Sequence, residues 1–268
     1  MNQLSLDEVR HIEFEILRHF KGFCEKNGIR YYLSNGTLLG AVKYGGFIPW
    51  DDDIDVFVPR KDYERLLNLY QDDEKYVLFS FEKNKEFLFP FAKLSDATTR
   101  KEEFNTFGNV SLGVDIDIFP LDWWSDNICT AKKEVAAFNR HFFLLNLAKS
   151  RKAMSTNRMK MWLKACVIAL FRLLNIGAFE VKKMIKLAKK HDGKYGNFVG
   201  CRTWAIYGER EIIPAQVFSE SVNLKFRSES FSVPKGYDVY LRSLYGDYTK
   251  DPPPEEQKTH HNFVAYRL

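Results

Sequence analysis

The chain has 268 residues, 45% of them hydrophobic and 15% aromatic, enough to bury one large core and against a disordered chain. Its four cysteines, Cys24, Cys129, Cys166 and Cys201, are far apart with no C-x-x-C pair, which argues against a zinc site or disulfide framework and fits a reducing compartment. The net charge of +5 is uneven: residues 149–194 hold 13 Lys/Arg against 2 Asp/Glu, leaving 27 against 33 elsewhere, so a basic segment is mounted on an acidic body.

The residues up to Glu8 lack a basic stretch followed by an apolar one, so no secretory leader is expected. Ser5-Leu6-Asp7-Glu8 reads as a capping box, and Val9, Ile12, Ile16, Leu17, Phe20 and Phe23 follow at helical spacing. Asn27-Gly28 stops that helix, and Ile29 to Leu33 reads as a strand. Ser34-Asn35-Gly36-Thr37 is a turn into a short helix from Leu38 to Val42, and Tyr44-Gly45-Gly46 is a loop.

Asp51, Asp52, Asp53 and Asp55 then crowd four carboxylates into five residues before an apolar run. Each charge raises its neighbours' pKa, and a bound divalent cation relieves that repulsion. A strand beginning near Asp53 turns Ile54, Val56 and Val58 to a core and Asp53 and Asp55 to the other face, with Asp52 on the core side. Pro59-Arg60-Lys61-Asp62 opens a helix bearing Tyr63, Leu66, Leu67 and Tyr70; Arg60 is either a ligand beside the acidic strand or a helix cap.

Tyr76 to Phe81 and Phe87 to Leu94 read as strands. Residues 113–122 form a third, with Val114, Ile116 and Ile118 on one side and Asp115, Asp117 and Phe119 on the other. The pattern turns helical from about Ala131 to His191, and Met161 to Phe179 is apolar but interrupted by Lys164 and Arg172. Those charges disfavour a spanning helix; an amphipathic helix on a membrane and an ordinary buried hairpin both fit. Mixed short elements follow, ending in Pro252-Pro253-Pro254 and His260-His261.

An Asn35-Gly36-Thr37 turn about sixteen residues before one D-x-D strand, with a second D-x-D strand beyond, makes a constellation. Backbone N–H groups at the turn would cradle phosphates, and the carboxylates would hold Mg²⁺. Asp51, Asp53 and Asp55 superficially open an EF-hand loop, but Val56 and Asp62 stand where Gly and Glu are required. A D-x-D glycosyltransferase is disfavoured by the turn and by the second D-x-D strand.

Asn35 to Val42, Gly46 to Val56, Phe91-Ala92-Lys93, Ile116 to Asp122 and the tail from Val233 to His260 together resemble LicD-type phosphocholine transferases. That family is similar in fold to nucleotidyltransferases and is related to the fukutin group. The resemblance implies an α+β fold: a nucleotidyltransferase-like mixed sheet over residues 1–124, a basic amphipathic helical insertion at 125–192, and a part at 193–268, with C-terminal helices, completing the catalytic domain. It implies Asp53, Asp55 and Asp117 as ligands for Mg²⁺, in one or two ions with Mn²⁺ as substitute, and His260 as an aid to proton transfer. Asp115 is a reserve ligand. Asn35, Gly36 and Thr37 would meet the donor diphosphate, Lys93 its phosphoryl oxygens, and Trp50 and Trp124 its choline, with Trp123, Trp204 and Tyr207 as other cage candidates.

The implied reaction moves phosphocholine from CDP-choline to a sugar hydroxyl of a bacterial teichoic acid or lipopolysaccharide precursor, releasing CMP. Another alcohol phosphate, glycerol or ribitol phosphate, on its CDP carrier is the alternative. The expected partners are a CDP-alcohol, a lipid-linked glycan acceptor and an anionic membrane, with no nucleic acid. The expected location is the bacterial cytoplasm, against the inner face of the plasma membrane.

Overall fold

The computed structural model describes residues 2–103, 110–150, 157–194, 196–259 and 263–268. From the N-terminus run β1 (Asn2–Gln3), α1 (Leu6–Asn27), β2 (Tyr32–Leu33), α2 (Asn35–Tyr44), β3 (Asp55–Pro59) and α3 (Arg60–Leu69). Next come β4 (Tyr76–Phe79), β5 (Ala92–Asp96), β6 (Thr99–Glu103) and β7 (Asp115–Trp123), then helices α4 (Ile128–Lys149), α5 (Arg158–Leu173) and α6 (Ile176–Ala188). The last part holds β8 (Phe198–Gly200), β9 (Ile213–Pro214), the hairpin β10 (Ser221–Phe226) and β11 (Glu229–Pro234), α7 (Tyr237–Tyr245) and β12 (Phe263–Arg267). The architecture is α+β.

The main sheet runs β2-β3-β7-β5-β4, with β8 and β9 continuing from the far end of β7. β3 and β7 are parallel, whereas β2, β5 and β8 join antiparallel. Paired residues share a face, so the register decides the chemistry of each side. Val56 pairs Ile118 and Ile118 pairs Ala92, giving one apolar face. Asp55 pairs Asp117 and Asp117 pairs Lys93, giving a charged one. Beyond these charges the same face turns aromatic, with Phe119 at 6.4 Å from Phe57 and 4.4 Å from Phe91 by ring centroid.

Helix α1 begins as its sequence dictates: the Ser5 side chain accepts from Glu8 N–H and the Glu8 carboxylate accepts from Ser5 N–H. It ends at Gly28, whose φ of 59° is the left-handed turn that glycine takes without strain. α1 packs on β5 and β7, and α3 on β3 and β7. A second core of Trp124, Phe138, Leu145, Val181 and Met184 joins α4 to α6.

Several strands are shorter than the sequence suggests. Only Tyr32 and Leu33 of the expected 29–33 strand find ladder partners, both on β3. Pairing in the expected Phe87–Leu94 strand begins at Ala92 and runs on to Asp96; Pro90 lacks the N–H that a ladder needs. β3 begins at Asp55 rather than near Asp53, so strand alternation does not extend back to Asp52. Helix α2 is longer than expected, opening at Asn35 with φ of 44°.

Candidate active site

Asp55 is anchored through the turn that precedes it in sequence. The Asn35 side-chain amide donates to Asp55 Oδ2 at 3.1 Å, and Thr37 Oγ1 accepts from Asp55 N–H at 2.8 Å. Tyr240 Oη, on α7, donates to Asn35 Oδ1 at 2.8 Å and accepts from Asn35 N–H at 3.3 Å. Asn35 and Thr37, expected to meet a diphosphate, thus position an acid. Gly36 lies against the acidic loop, where an added Cβ would stand 2.5 Å from Asp51 Oδ2.

The loop before β3 is clamped from α1. Arg10 donates through Nε to Asp51 O at 2.9 Å and through Nη2 to Pro49 O at 2.9 Å and Ile48 O at 3.1 Å. The guanidinium thus takes the loop's carbonyls, and Asp53 and Asp52 line the cavity beyond. Asp52 is buried but does not point to the core side as expected, because it precedes the strand.

That cavity, of about 430 Å³, has an acidic and a basic wall. Glu13, Asp52, Asp53, Glu103, Asp115 and Asp117 supply the acids; Lys93, Lys101 and Lys149 the bases. Lys93 Nζ bonds Asp117 Oδ1 and lies 3.5 Å from Asp115 Oδ1, to which Lys101 Nζ comes within 2.5 Å. Burial pulls the Lys93 pKa down, but Asp115 and Asp117 more than offset it and hold it above the ordinary lysine value. Burial pushes Asp115 up, yet Lys101 and Lys93 outweigh it and keep that carboxyl below its usual range.

Asp117 is held above the usual range by burial, against the pull of Lys93. Asp55 stands well above it, from burial first and then the charges of Asp53 and Asp117. Glu13, on α1, is also raised well by burial and then by Asp53, and its Oε2 has no hydrogen-bond partner among the described residues.

The structure thus brings Asp53, Asp117 and Lys93 to one cavity and sets Asp55 beside Asp117 in the sheet. Trp50 packs edge-on to Tyr44 at 6.3 Å outside the cavity wall. Trp124 is 1% exposed in the second core, donating Nε1–H to Glu211 O at 3.0 Å. Of the other aromatic candidates, Trp204 lines the cavity with Phe89 and Phe91. Arg60 makes a buried two-pronged pair with Asp122, each bond 2.7 Å, which ties α3 to β7. His260 lies outside the described residues. Sequence reasoning missed Glu13, Lys101 and Lys149; Glu13 alone left a trace, an acid set into the apolar stripe of α1 next to Ile12.

The family model described as LicD/FKTN/FKRP, nucleotidyltransferase domain, matches residues 28–145. The lipopolysaccharide cholinephosphotransferase LicD of Haemophilus influenzae is 30% identical over the full length of both chains. The chain belongs to the LicD family. Other relatives of this LicD-family protein match more locally. Human ribitol 5-phosphate transferase FKRP is 44% identical over 48 residues, 18% of this chain and 10% of that one. Mannosyltransferase regulator 4 of Saccharomyces cerevisiae is 31% identical over 103 residues, 38% of this chain and 8% of that one. The α+β sheet with Asp55 and Asp117 on parallel neighbours fits the nucleotidyltransferase type of fold.

The donor set at Asp53, Asp55 and Asp117 is carboxylate oxygen throughout, which suits Mg²⁺ and not a thiolate-bound metal. Among the described residues no three His, Cys, Asp or Glu side chains are grouped as ligands for one ion. Lys93 engages Asp117 and Asn35 engages Asp55. Mg²⁺ is commonly held by one or two carboxylates, with water and substrate phosphates completing its shell. The acidic wall fits that sparser arrangement; the pKa of Asp55 is raised first by burial and then by the charges of Asp53 and Asp117, a negative field that a cation would meet.

Proposed function

We propose that this LicD-family protein is a phosphotransferase that moves phosphocholine from CDP-choline to a sugar hydroxyl of a cell-surface glycan precursor, releasing CMP. The reading rests on the register that sets Asp117 between Asp55 and Lys93, in a chain similar end to end to a lipopolysaccharide cholinephosphotransferase. The acceptor oxygen forms a bond to the phosphorus of phosphocholine as the bond to the CMP oxygen breaks. The acceptor proton passes to Asp117, whose pKa is held up by burial. Lys93 faces the charge on the transferring phosphoryl oxygens. The start of α2, at Asn35, Gly36 and Thr37, would offer the positive end of a helix to the donor diphosphate. Phe91 and Trp204 offer the aromatic faces that a quaternary ammonium favours. Held by one or two of Asp53, Asp55 and Asp117 with substrate phosphates completing its shell, Mg²⁺, in one or two ions with Mn²⁺ as substitute, would neutralise the diphosphate and the leaving CMP.

The test incubates the protein with CDP-choline, Mg²⁺ and glycan acceptors and follows CMP. Asp53→Asn and Asp55→Asn are expected to lower turnover by about 100-fold or more, as loss of a transition-state charge contact does. Unchanged turnover in both variants overturns the reading. A second reading, transfer of another alcohol phosphate such as ribitol or glycerol phosphate, is favoured by the local likeness to a ribitol 5-phosphate transferase. A panel of CDP-alcohols separates the two.

The reading extends to location, at the cytoplasmic surface of an anionic bacterial membrane where a lipid-linked acceptor would be presented. On α5, Met159, Trp162, Leu163 and Leu173 are 77%, 73%, 67% and 81% exposed, and Ile168 is its sole buried residue. Lys160, Lys164 and Arg172 lie on the same helix. Among the described residues no single helix is long and apolar enough to cross a membrane. Together α5 and residues 176–191 are long and apolar enough but bend by 70° at their junction; the exposed apolar and cationic side chains of α5 support a place at the interface with anionic lipid.

A further inference from the structure

Two of the three cavity ammonium groups are already matched: Lys93 by Asp117 and Asp115, and Lys101 by Asp115. Lys149, the last residue of α4, is not. It is 5% exposed and lines the same cavity, with Nζ 3.1 Å above the centre of the Phe89 ring. It makes no ion pair with any described residue. The charged groups facing it are Glu103 of β6, Lys93 of β5 and Asp117 of β7, and burial pulls its pKa down to about 7. An ammonium so far from water is costly unless an anion meets it. The Phe89 ring supplies part of the compensation, as it would for any lysine whose stem merely packs. Packing alone does not account for an ammonium at the wall of a cavity whose two other lysines answer carboxylates.

We propose that Lys149 is a phosphate-binding residue of this cavity, supplied by the end of α4. The matched family domain ends at residue 145, four positions earlier. The proposal deepens the phosphotransferase reading and rests on it for the source of the phosphate, either the diphosphate of a nucleotide donor or that of a lipid-linked acceptor. A phosphate oxygen at Nζ would form a charge-assisted hydrogen bond in a site largely shielded from water.

Calorimetry in metal-free buffer with inorganic pyrophosphate, CDP-choline and a short-chain polyprenyl diphosphate tests it. Pyrophosphate is expected to bind Lys149→Met about tenfold or more weakly than wild type, and Lys149→Arg nearly as well as wild type. A loss confined to CDP-choline among the larger probes assigns the donor phosphate, and a loss confined to the polyprenyl diphosphate assigns the acceptor's. Equal affinity of wild type and Lys149→Met for all three probes overturns the proposal, as does a wild type that binds none. If pyrophosphate discriminates but CDP-choline fails to bind, the choline reading falls and the role of Lys149 stands.

Should Lys149→Met fail to fold, the comparison of wild type with Lys149→Arg decides. The ratio of their pyrophosphate affinities should fall between about pH 6 and about pH 8.5, because lysine loses its proton there and arginine does not. A flat ratio overturns the proposal.

Discussion

Asp55 owes its position to groups that do not line the cavity. Tyr240 holds Asn35, and Asn35 holds the carboxylate. Tyr240→Phe should therefore cost about 1–2 kcal/mol in denaturant unfolding and lower turnover several-fold without changing the acids themselves. Gly40 has a different role. A Cβ there would stand 2.3 Å from Gly46 O and 3.1 Å from Ile48 N, both backbone atoms that cannot rotate away. Gly40→Ala is expected to destabilise by about 1–3 kcal/mol, read from the same unfolding curves, and to disturb the loop leading to Asp51. Away from the cavity, Glu211 is buried with Oε2 lacking a partner among the described residues, and burial pushes its pKa up to about 8. Unfolded, it would ionise near 4.5, so the folded chain keeps a proton that the unfolded chain releases across that window. The contribution of Glu211 to stability therefore falls as pH rises from about 4.5 to about 8. Glu211→Gln should raise the melting temperature at pH 8, with the gain shrinking toward pH 4.5.

At the level of elements, the acidic loop is a loop held like a strand. Arg10 binds three of its carbonyls from α1, so Arg10→Ala should leave most of the fold intact while loosening residues 48–51. Turnover is expected to fall by about tenfold or more, with accelerated amide exchange confined to that loop and α2. The alternation of Asp55-Val56-Phe57-Val58 and of residues 114–119 was legible because period 2 is a local property. The capping box of α1 was legible for the same reason. What escaped depended on partners distant in sequence. β6 pairs with β12 across more than 150 residues, and Lys101 on β6 meets Asp115 on β7; neither strand announces the other. Glu13 and Lys149 reach the cavity only because helices α1 and α4 converge on it. The extra strand length expected before Ala92 reflects a run of Phe87, Phe89 and Phe91 that packs ring to ring, with Phe87–Phe89 at 5.1 Å and Phe89–Phe91 at 5.4 Å, instead of pairing.

Across the whole molecule, the cavity draws on segments far apart in the chain: α1, the acidic loop, β5 to β7, the end of α4, Trp204 and β12. Helix α5 remains outside this convergence, with its apolar residues turned outward. Flotation with anionic vesicles should carry the wild-type protein upward at low salt and less so at high salt. Trp162→Glu combined with Leu163→Glu should abolish flotation while leaving CMP release with a water-soluble acceptor unchanged; flotation equal to wild type would sink the membrane assignment. One contact gives α5 a further consequence. Arg172, near its end, donates to the carbonyl of Ser150 at 2.7 Å, and Ser150 lies in the cavity wall beside Lys149. Under the membrane reading proposed above, load taken up by α5 would reach the rim of the cavity through this guanidinium, alongside the packing of α5 on α4 and α6. The enzyme should thus show interfacial activation, a rate that depends on the surface itself as well as on acceptor concentration. Arg172→Ala should uncouple that acceleration from vesicle binding, so that the protein still floats but no longer gains speed.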